Sequence, residues 1–266
     1  MTSATPDLTK YTNVQLKSLR INCLRQINES KDSLKITKAE DMLLAIDDEL
    51  THRYLPGSIE SFLKEFPEGF YDPKYLEQER NFKVETSQLC HELLSQERFA
   101  QLISDKAWSA IAADIKTLVN KTNMLQASFE RPQLIAAFAD ADKQTTLMPA
   151  LYDCLHGEGT PSARLGRFSD VLQDFNLGKW TFATYFLFLN DPQNCMFIKP
   201  ESIKKALEIS QYPAEYDSTP SAALYEQFLG FAAFLKSRLA EHKPRDMIDI
   251  QSFIWIMAPT GIHARD

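Results

Sequence analysis

Hydrophobic residues recur along this chain at spacings of three and four, the period of an amphipathic helix, almost from end to end. Thr12-Asn-Val-Gln15 has the form of a capping box, and Leu16, Leu19, Cys23 and Ile27 follow on one face. Thr37-Lys-Ala-Glu40 repeats the device ahead of Met42, Leu43, Ile46 and Leu50, so a second helix start is expected there. Pro56-Gly57 is expected to break that helix before a short apolar face of Ile59, Phe62, Leu63 and Phe66. Asp72-Pro73 places an N-cap residue before a proline at the first helical position, opening a helix that reaches about Leu94.

Further helices are expected around Trp108–Val119, Leu134–Phe138 and Thr146–His156, the last stopped by Gly157 in a left-handed conformation. Thr160-Pro161 opens another, through Leu165, Phe168, Leu172 and Phe175. Trp180–Leu189 is so uniformly apolar that periodicity leaves helix and buried strand both open. Cys195–Ile198 reads as extended, because the residue before Pro200 is biased away from helix. Helices follow at Ile203–Ser210, from Thr219-Pro220 to about His242, and from Asp246 to about Met257, ended by Pro259.

The fold class is therefore all-α: an irregular multi-helix bundle with little or no β-sheet. Gly157-Glu-Gly-Thr-Pro161 is the expected boundary between an N-terminal helical lobe, 1–157, and an aromatic-rich C-terminal helical lobe, 158–266, with one continuous domain as the alternative. The helix after Pro220 is apolar almost all round, so it must be covered on most sides, as core or as the wall of an aromatic pocket.

Composition narrows the function classes. Only 8 of 266 residues are Gly, and neither GxGxxG nor GxxxxGK[ST] occurs, which argues against Rossmann and P-loop nucleotide sites. The net charge of −7 provides no global positive field for nucleic acid. The first ten residues lack the apolar core of a secretory signal, and no stretch approaches the roughly 20 apolar residues of a membrane span. Cys23, Cys90, Cys154 and Cys195 form no CxxC pair and read as thiols of a reducing cytoplasm. A cytoplasmic chain with no membrane segment is expected.

Glu49-x-x-His52 and Asp153-x-x-His156 each put a carboxylate and an imidazole on one helical face, the spacing used in di-iron bundles. Five histidines among 36 acidic residues produce such spacings by chance, and no metal or cofactor is expected. No Gly-x-Ser-x-Gly elbow is present, and no catalytic residue is assigned.

The informative region is near the end of the chain. Lys199 stands before one expected helix N-terminus, and Lys243 and Arg245 before another. A cation there is mildly unfavourable unless an anion bridges it to the free N–H groups, or Glu201 and Asp246 already neutralise the end. Asp249 lies on the last helix, whose other positions are nearly all apolar; a buried carboxylate there needs a cation or hydrogen-bond donors. Lys199, Arg164, Arg167 and Arg245 are its expected partners. Trp180, Gln251 and Trp255 would suit a planar ligand, or simply pack in the core.

The order Lys179-Trp180, Met196-Phe-Ile-Lys-Pro200 and Arg245-Asp-Met-Ile-Asp-Ile-Gln-Ser-Phe-Ile-Trp255 resembles a family of uncharacterised prokaryotic all-helical proteins of similar length. Phe70-Tyr-Asp-Pro73 and Leu151-Tyr-Asp153 extend the similarity. The resemblance implies a self-standing protein and carries no activity, cofactor or catalytic residue with it.

The leading expectation is a non-enzymatic helical binding protein. It would recognise an anionic ligand or partner with Lys199, Lys243 and Arg245, while Asp249 orients one of the cations. A nucleic-acid-associated accessory of DNA processing or phage defence, and an enzyme built on Asp249 in an aromatic pocket, are the alternatives. Homo-oligomerisation is left open.

Overall fold

The computed structural model describes residues 6–257, apart from the side chains of Thr51 and Tyr54. Every regular element among the described residues is helical, as the spacing predicts, and no strand occurs among them. None of these helices is long and apolar enough to cross a membrane. The chain divides into two compact units: Met1–Ser61 with Lys205–Pro213, and Phe62–Lys204 with Ala214–Asp266.

In the smaller unit, α1 (Asn13–Glu29) starts on the expected capping box, with Thr12 and Gln15 bonding reciprocally to each other's backbone. α2 (Ser33–Glu65) begins at Ser33 rather than Thr37, because Asp32 caps it by accepting a 3.0 Å bond from the Leu34 N–H. Arg20 bonds Asp47 at 2.8 Å and Arg53 bonds Asn13 at 2.7 Å, so α1 and the first part of α2 run antiparallel. Leu8, Leu16 and Cys23 pack with Ala39, Ile46 and Leu50 between them.

The helix does not break at Pro56-Gly57. A proline inside a helix costs roughly 3 kcal/mol. Leu55 and Phe62 are buried along the same helix and Phe66 just past its end, and each gains roughly 1.5–3 kcal/mol by it, so burial outweighs the missing N–H bond.

The larger unit begins with the end of α2 and a 3₁₀ turn, Gly69–Tyr71. Asp72 caps α3 (Pro73–Tyr75) as expected, through a 2.9 Å bond from the Lys74 N–H. A π-turn, Leu76–Arg80, joins α3 to α4 (Asn81–Leu93). α5 (Gln96–Ser104), α6 (Trp108–Lys121), α7 (Glu130–Ala139), α8 (Ala141–His156) and α9 (Pro161–Asp174) follow.

The expected lobe boundary at 157/158 falls inside this unit. Arg167 of α9 bonds Asp153 of α8 at 2.7 Å, and Arg164 bonds the Leu155 carbonyl at 2.6 Å, so the two helices form one packed hairpin. Gly157 is not left-handed, at φ −72°; a Cβ there would collide with Asp153 Oδ1, so the glycine serves a close approach. The positive φ, 98°, belongs to Gly159.

α10 (Trp180–Asn190) resolves the ambiguous apolar segment as a helix, buried at every position from Trp180 to Leu189. Cys195–Ile198 forms neither helix nor strand. Two of its N–H groups are taken by side chains: Met196 donates to Tyr225 Oη at 2.8 Å and Ile198 to Thr184 Oγ1 at 3.0 Å, while Cys195 donates to the Asp191 carbonyl at 2.9 Å. α11 (Pro200–Ser210), α12 (Ala222–Arg238) and α13 (Met247–Met257) complete the order. Pro259 lies outside the described residues.

Candidate binding site

Five aromatic rings pack where α2 ends and α13 passes: Phe62, Phe66, Phe70, Tyr75 and Phe253, with centroids 4.9 to 6.0 Å apart. This nest fixes the Tyr75 ring and aims its hydroxyl at α13. Hydrogen bonds in the π-turn span five residues, so side chains five apart share a side. Tyr75 and Arg80 therefore both reach Asp249 Oδ1, at 2.7 and 2.9 Å.

Asp249 is fully buried. Besides those two donors, its Oδ2 accepts from the Arg245 backbone N–H at 2.8 Å and from Arg245 Nε at 2.9 Å, and its Oδ1 from Arg245 Nη2 at 3.0 Å. Burial opposes the charged form, but the Arg245 and Tyr75 bonds and the charge of Arg80 hold the carboxyl below its ordinary range. Burial and the neighbouring carboxylate push the Tyr75 phenol well above its ordinary value.

Arg80 also grips Asp246 with two bonds, 2.8 and 2.7 Å. Asp246 accepts as well from the N–H groups of Ile248 and Asp249, at 3.0 and 3.3 Å, so it caps α13 as expected. One helical turn on, Lys83 is buried and donates to Ser252 Oγ at 2.8 Å, Gln251 Oε1 at 2.9 Å and Glu79 Oε2 at 3.3 Å. Burial pushes its ammonium down against the pull of Glu79. The cluster is electrically closed: Arg80, Lys83 and Arg245 balance Glu79, Asp246 and Asp249.

The expectation for Asp249 is met in substance, since the carboxylate is buried and meets cations. Arg245 is one of the expected partners; Arg80 is the one the sequence reading missed. The signal was present in the polar stripe Arg80, Lys83 and Ser87, three and four apart, which matches Asp246, Asp249 and Ser252 at spacings of three.

The remaining candidates do not converge on one ligand. Trp180 is buried, donates Nε1–H to the Asp217 carbonyl at 2.8 Å, and packs on Phe228 with centroids 5.1 Å apart. Gln251 is buried on Lys83. The Lys199 ammonium lies 4.7 Å from the Trp255 centroid and 3.5 Å from the Met124 carbonyl, and burial lowers its affinity for the proton. Arg164 and Arg167 serve the α8–α9 hairpin instead of Asp249.

Lys243 is exposed, and it stands at an open cavity of about 280 Å³ lined by residues from two loops: Pro67, Glu68, Gly69 and Tyr71 on one, Glu241, His242 and Lys243 on the other, with Leu63 beneath. The ion cluster fixes the frame of this cavity. Arg245 donates to the Phe70 carbonyl at 2.5 Å and stacks its guanidinium 4.7 Å from the Tyr71 centroid. The Tyr71 hydroxyl donates to the Lys243 carbonyl at 3.1 Å. Asp72 accepts from the Glu68 N–H at 3.2 Å, and Gly69 turns the first loop at φ 60°. Lys243 itself is held left-handed, at φ 51°, a strained state for a residue with a Cβ.

Elsewhere, Asp153 pairs with Arg167 and His156 approaches the Leu94 carbonyl at 2.8 Å. Among the described residues no group of three His, Cys, Asp or Glu is arranged to hold a metal. Burial raises the thiols of Cys90 and Cys195 to about 12 and that of Cys154 higher still, against the needs of a nucleophile. Lys83 and Ser252 have the spacing of a base and nucleophile, but both side chains are sealed in the interior.

No family model, curated protein or solved structure matches this chain.

Proposed function

We propose that this chain is a non-enzymatic, cytoplasmic binding protein that takes an anionic group of a protein partner at the cavity between the Pro67–Tyr71 and Glu241–Lys243 loops. The supporting observation is Lys243: an exposed cation held in a strained backbone state beside His242 and the Tyr71 ring, on two loops cross-linked by Tyr71 and Arg245. Such a frame loses little freedom on binding, which favours affinity. In this reading Arg245 and Asp249 are positioning residues, because their bonding capacity is spent on each other, Arg80, Tyr75 and Phe70.

Glu68 and Glu241 share the rim with the two basic residues. A mixed rim suits a partner surface carrying both signs of charge. Phosphate backbones favour an unbroken positive surface, so the nucleic-acid alternative is the weaker one. The enzyme alternative loses its residue, because Asp249 accepts five hydrogen bonds and takes no part in lining the cavity beside Lys243.

A titration of the labelled chain with an acidic Gly-Glu repeat peptide, followed by amide NMR, tests the reading. Shifts should concentrate at 68–71 and 241–243 and vanish in Lys243→Gly/His242→Gln, in which glycine tolerates the same backbone angle. Shifts scattered over the surface, or unchanged in the double variant, would refute it.

A further inference from the structure

α2 changes character between Leu55 and Phe62. Those two side chains are buried, but none of the six residues between them is. Pro56, Gly57, Glu60 and Ser61 are exposed, and Ser58 and Ile59 are half-buried. For nearly two turns the helix is held by little besides its own backbone bonds. Few buried apolar contacts mean a low free energy of local opening.

The backbone of this stretch is itself weakened. The only proline and the only glycine of α2 stand here, side by side. Pro56 has no N–H to give the His52 carbonyl one turn before it. Gly57 follows, although nothing lies within 4 Å of the place a Cβ would take and its φ is not left-handed. Neither space nor conformation asks for glycine, and alanine, the best helix former, would fit. Ser61 donates its hydroxyl to the Gly57 carbonyl at 2.9 Å, competing with the helical N–H for that acceptor; such bonds bend helices.

Both ends of the stretch are held. Before it, Arg53 donates to Glu49 and Asn13, each at 2.7 Å, and to the Tyr11 carbonyl at 2.8 Å, which fastens the helix to the start of α1. After it, Phe62 and Phe66 sit in the aromatic nest with Tyr75. We infer that residues 56–61 are a flexing point built into α2, at which the α1–α2 hairpin changes direction while the arm from Phe62 onward stays in its nest. Leu63, beneath the cavity, lies on that held arm, so the inference does not depend on what the cavity binds.

The test is pulsed electron spin resonance on the full chain with spin labels at Asp41→Cys and Lys64→Cys, exposed positions on either side of the stretch. The native thiols are buried and stay unlabelled. A straight helix puts the two positions about 35 Å apart along its axis. The wild-type background should give a broad distribution of distances. Pro56→Ala/Gly57→Ala, which restores the N–H and a Cβ, should narrow it. In the unlabelled chain, amide exchange at 57–61 should slow about tenfold or more in the same double variant. Both substitutions favour the helix, so loss of the fold does not confuse either readout. Distributions equally narrow in the two backgrounds, or unchanged exchange at 57–61, would overturn the inference.

Discussion

Arg80 and Asp249 stand 169 positions apart in the chain and meet at 2.9 Å, with the carboxylate fully buried. That contact, shared with Tyr75 and Arg245, ties the start of the larger unit to its last described helix.

Asp249→Asn removes one charge and leaves Arg80 and Arg245 facing an amide that presents donors to donors. Breaking a buried pair from one side costs about 3–5 kcal/mol. The urea midpoint should fall accordingly with an unchanged slope, and a loss under about 1 kcal/mol would mean that Asp249 is not the anchor described.

Lys83→Met should behave differently, although Lys83 is also buried. Its anion, Glu79, keeps 16% of its side chain exposed and can return to water, while Gln251 and Ser252 retain hydrogen-bonding capacity. Stability should change by no more than about 1 kcal/mol, in either direction. Burial holds the folded-state pKa of Lys83 below 10.5, so between that depressed value and 10.5 the unfolded chain holds more protons and wild-type stability rises with pH. The stability of Lys83→Met relative to wild type should therefore fall as pH rises toward 10.5, as read by denaturation at a series of alkaline pH values.

Acid should unfold the larger unit in two stages. His156 has its folded pKa depressed below 6.5 by burial, so it contributes stability above 6.5 that is lost as pH falls through the depressed value. Asp249 is depressed below 3.8, so its contribution persists above that value and is lost below it. Urea denaturation across the acid range should show both losses; His156→Gln should flatten the upper and Asp249→Asn the lower.

All four cysteines are buried, and burial raises each thiol. Native protein should react slowly with a thiol-specific disulfide reagent at neutral pH, and four equivalents should react at once in denaturant. A fast native equivalent would mark a thiol with better access than described.

Helix content was legible from spacing because every helix buries one face, and even α10, apolar all round, only confused the choice between helix and strand. α2 starts at Ser33 and not at Thr37, because Thr37-x-x-Glu40 is a valid cap that loses to Asp32 upstream. The local penalty of Pro56 points to a break, and the buried rings beyond it, which the local pattern does not weigh, keep the helix continuous. For the site, the demand for a cation at Asp249 could be read from one apolar helix. Its supplier shows only as the polar stripe Arg80, Lys83 and Ser87, because the π-turn that aims Arg80 at Asp249 leaves no mark of its own in the periodicity. Trp180 and Gln251 carried chemistry suited to a ligand and spend it on the interior.

The closed ion cluster also sets an order of events during synthesis. Until α13 has emerged from the ribosome, Arg80 and Lys83 lack the acceptors that let them leave water, and the aromatic nest lacks Phe253. The larger unit is thus barred from sealing its interior ahead of time, and a chain cut short before Asp246 is left open and recognisable to proteolysis.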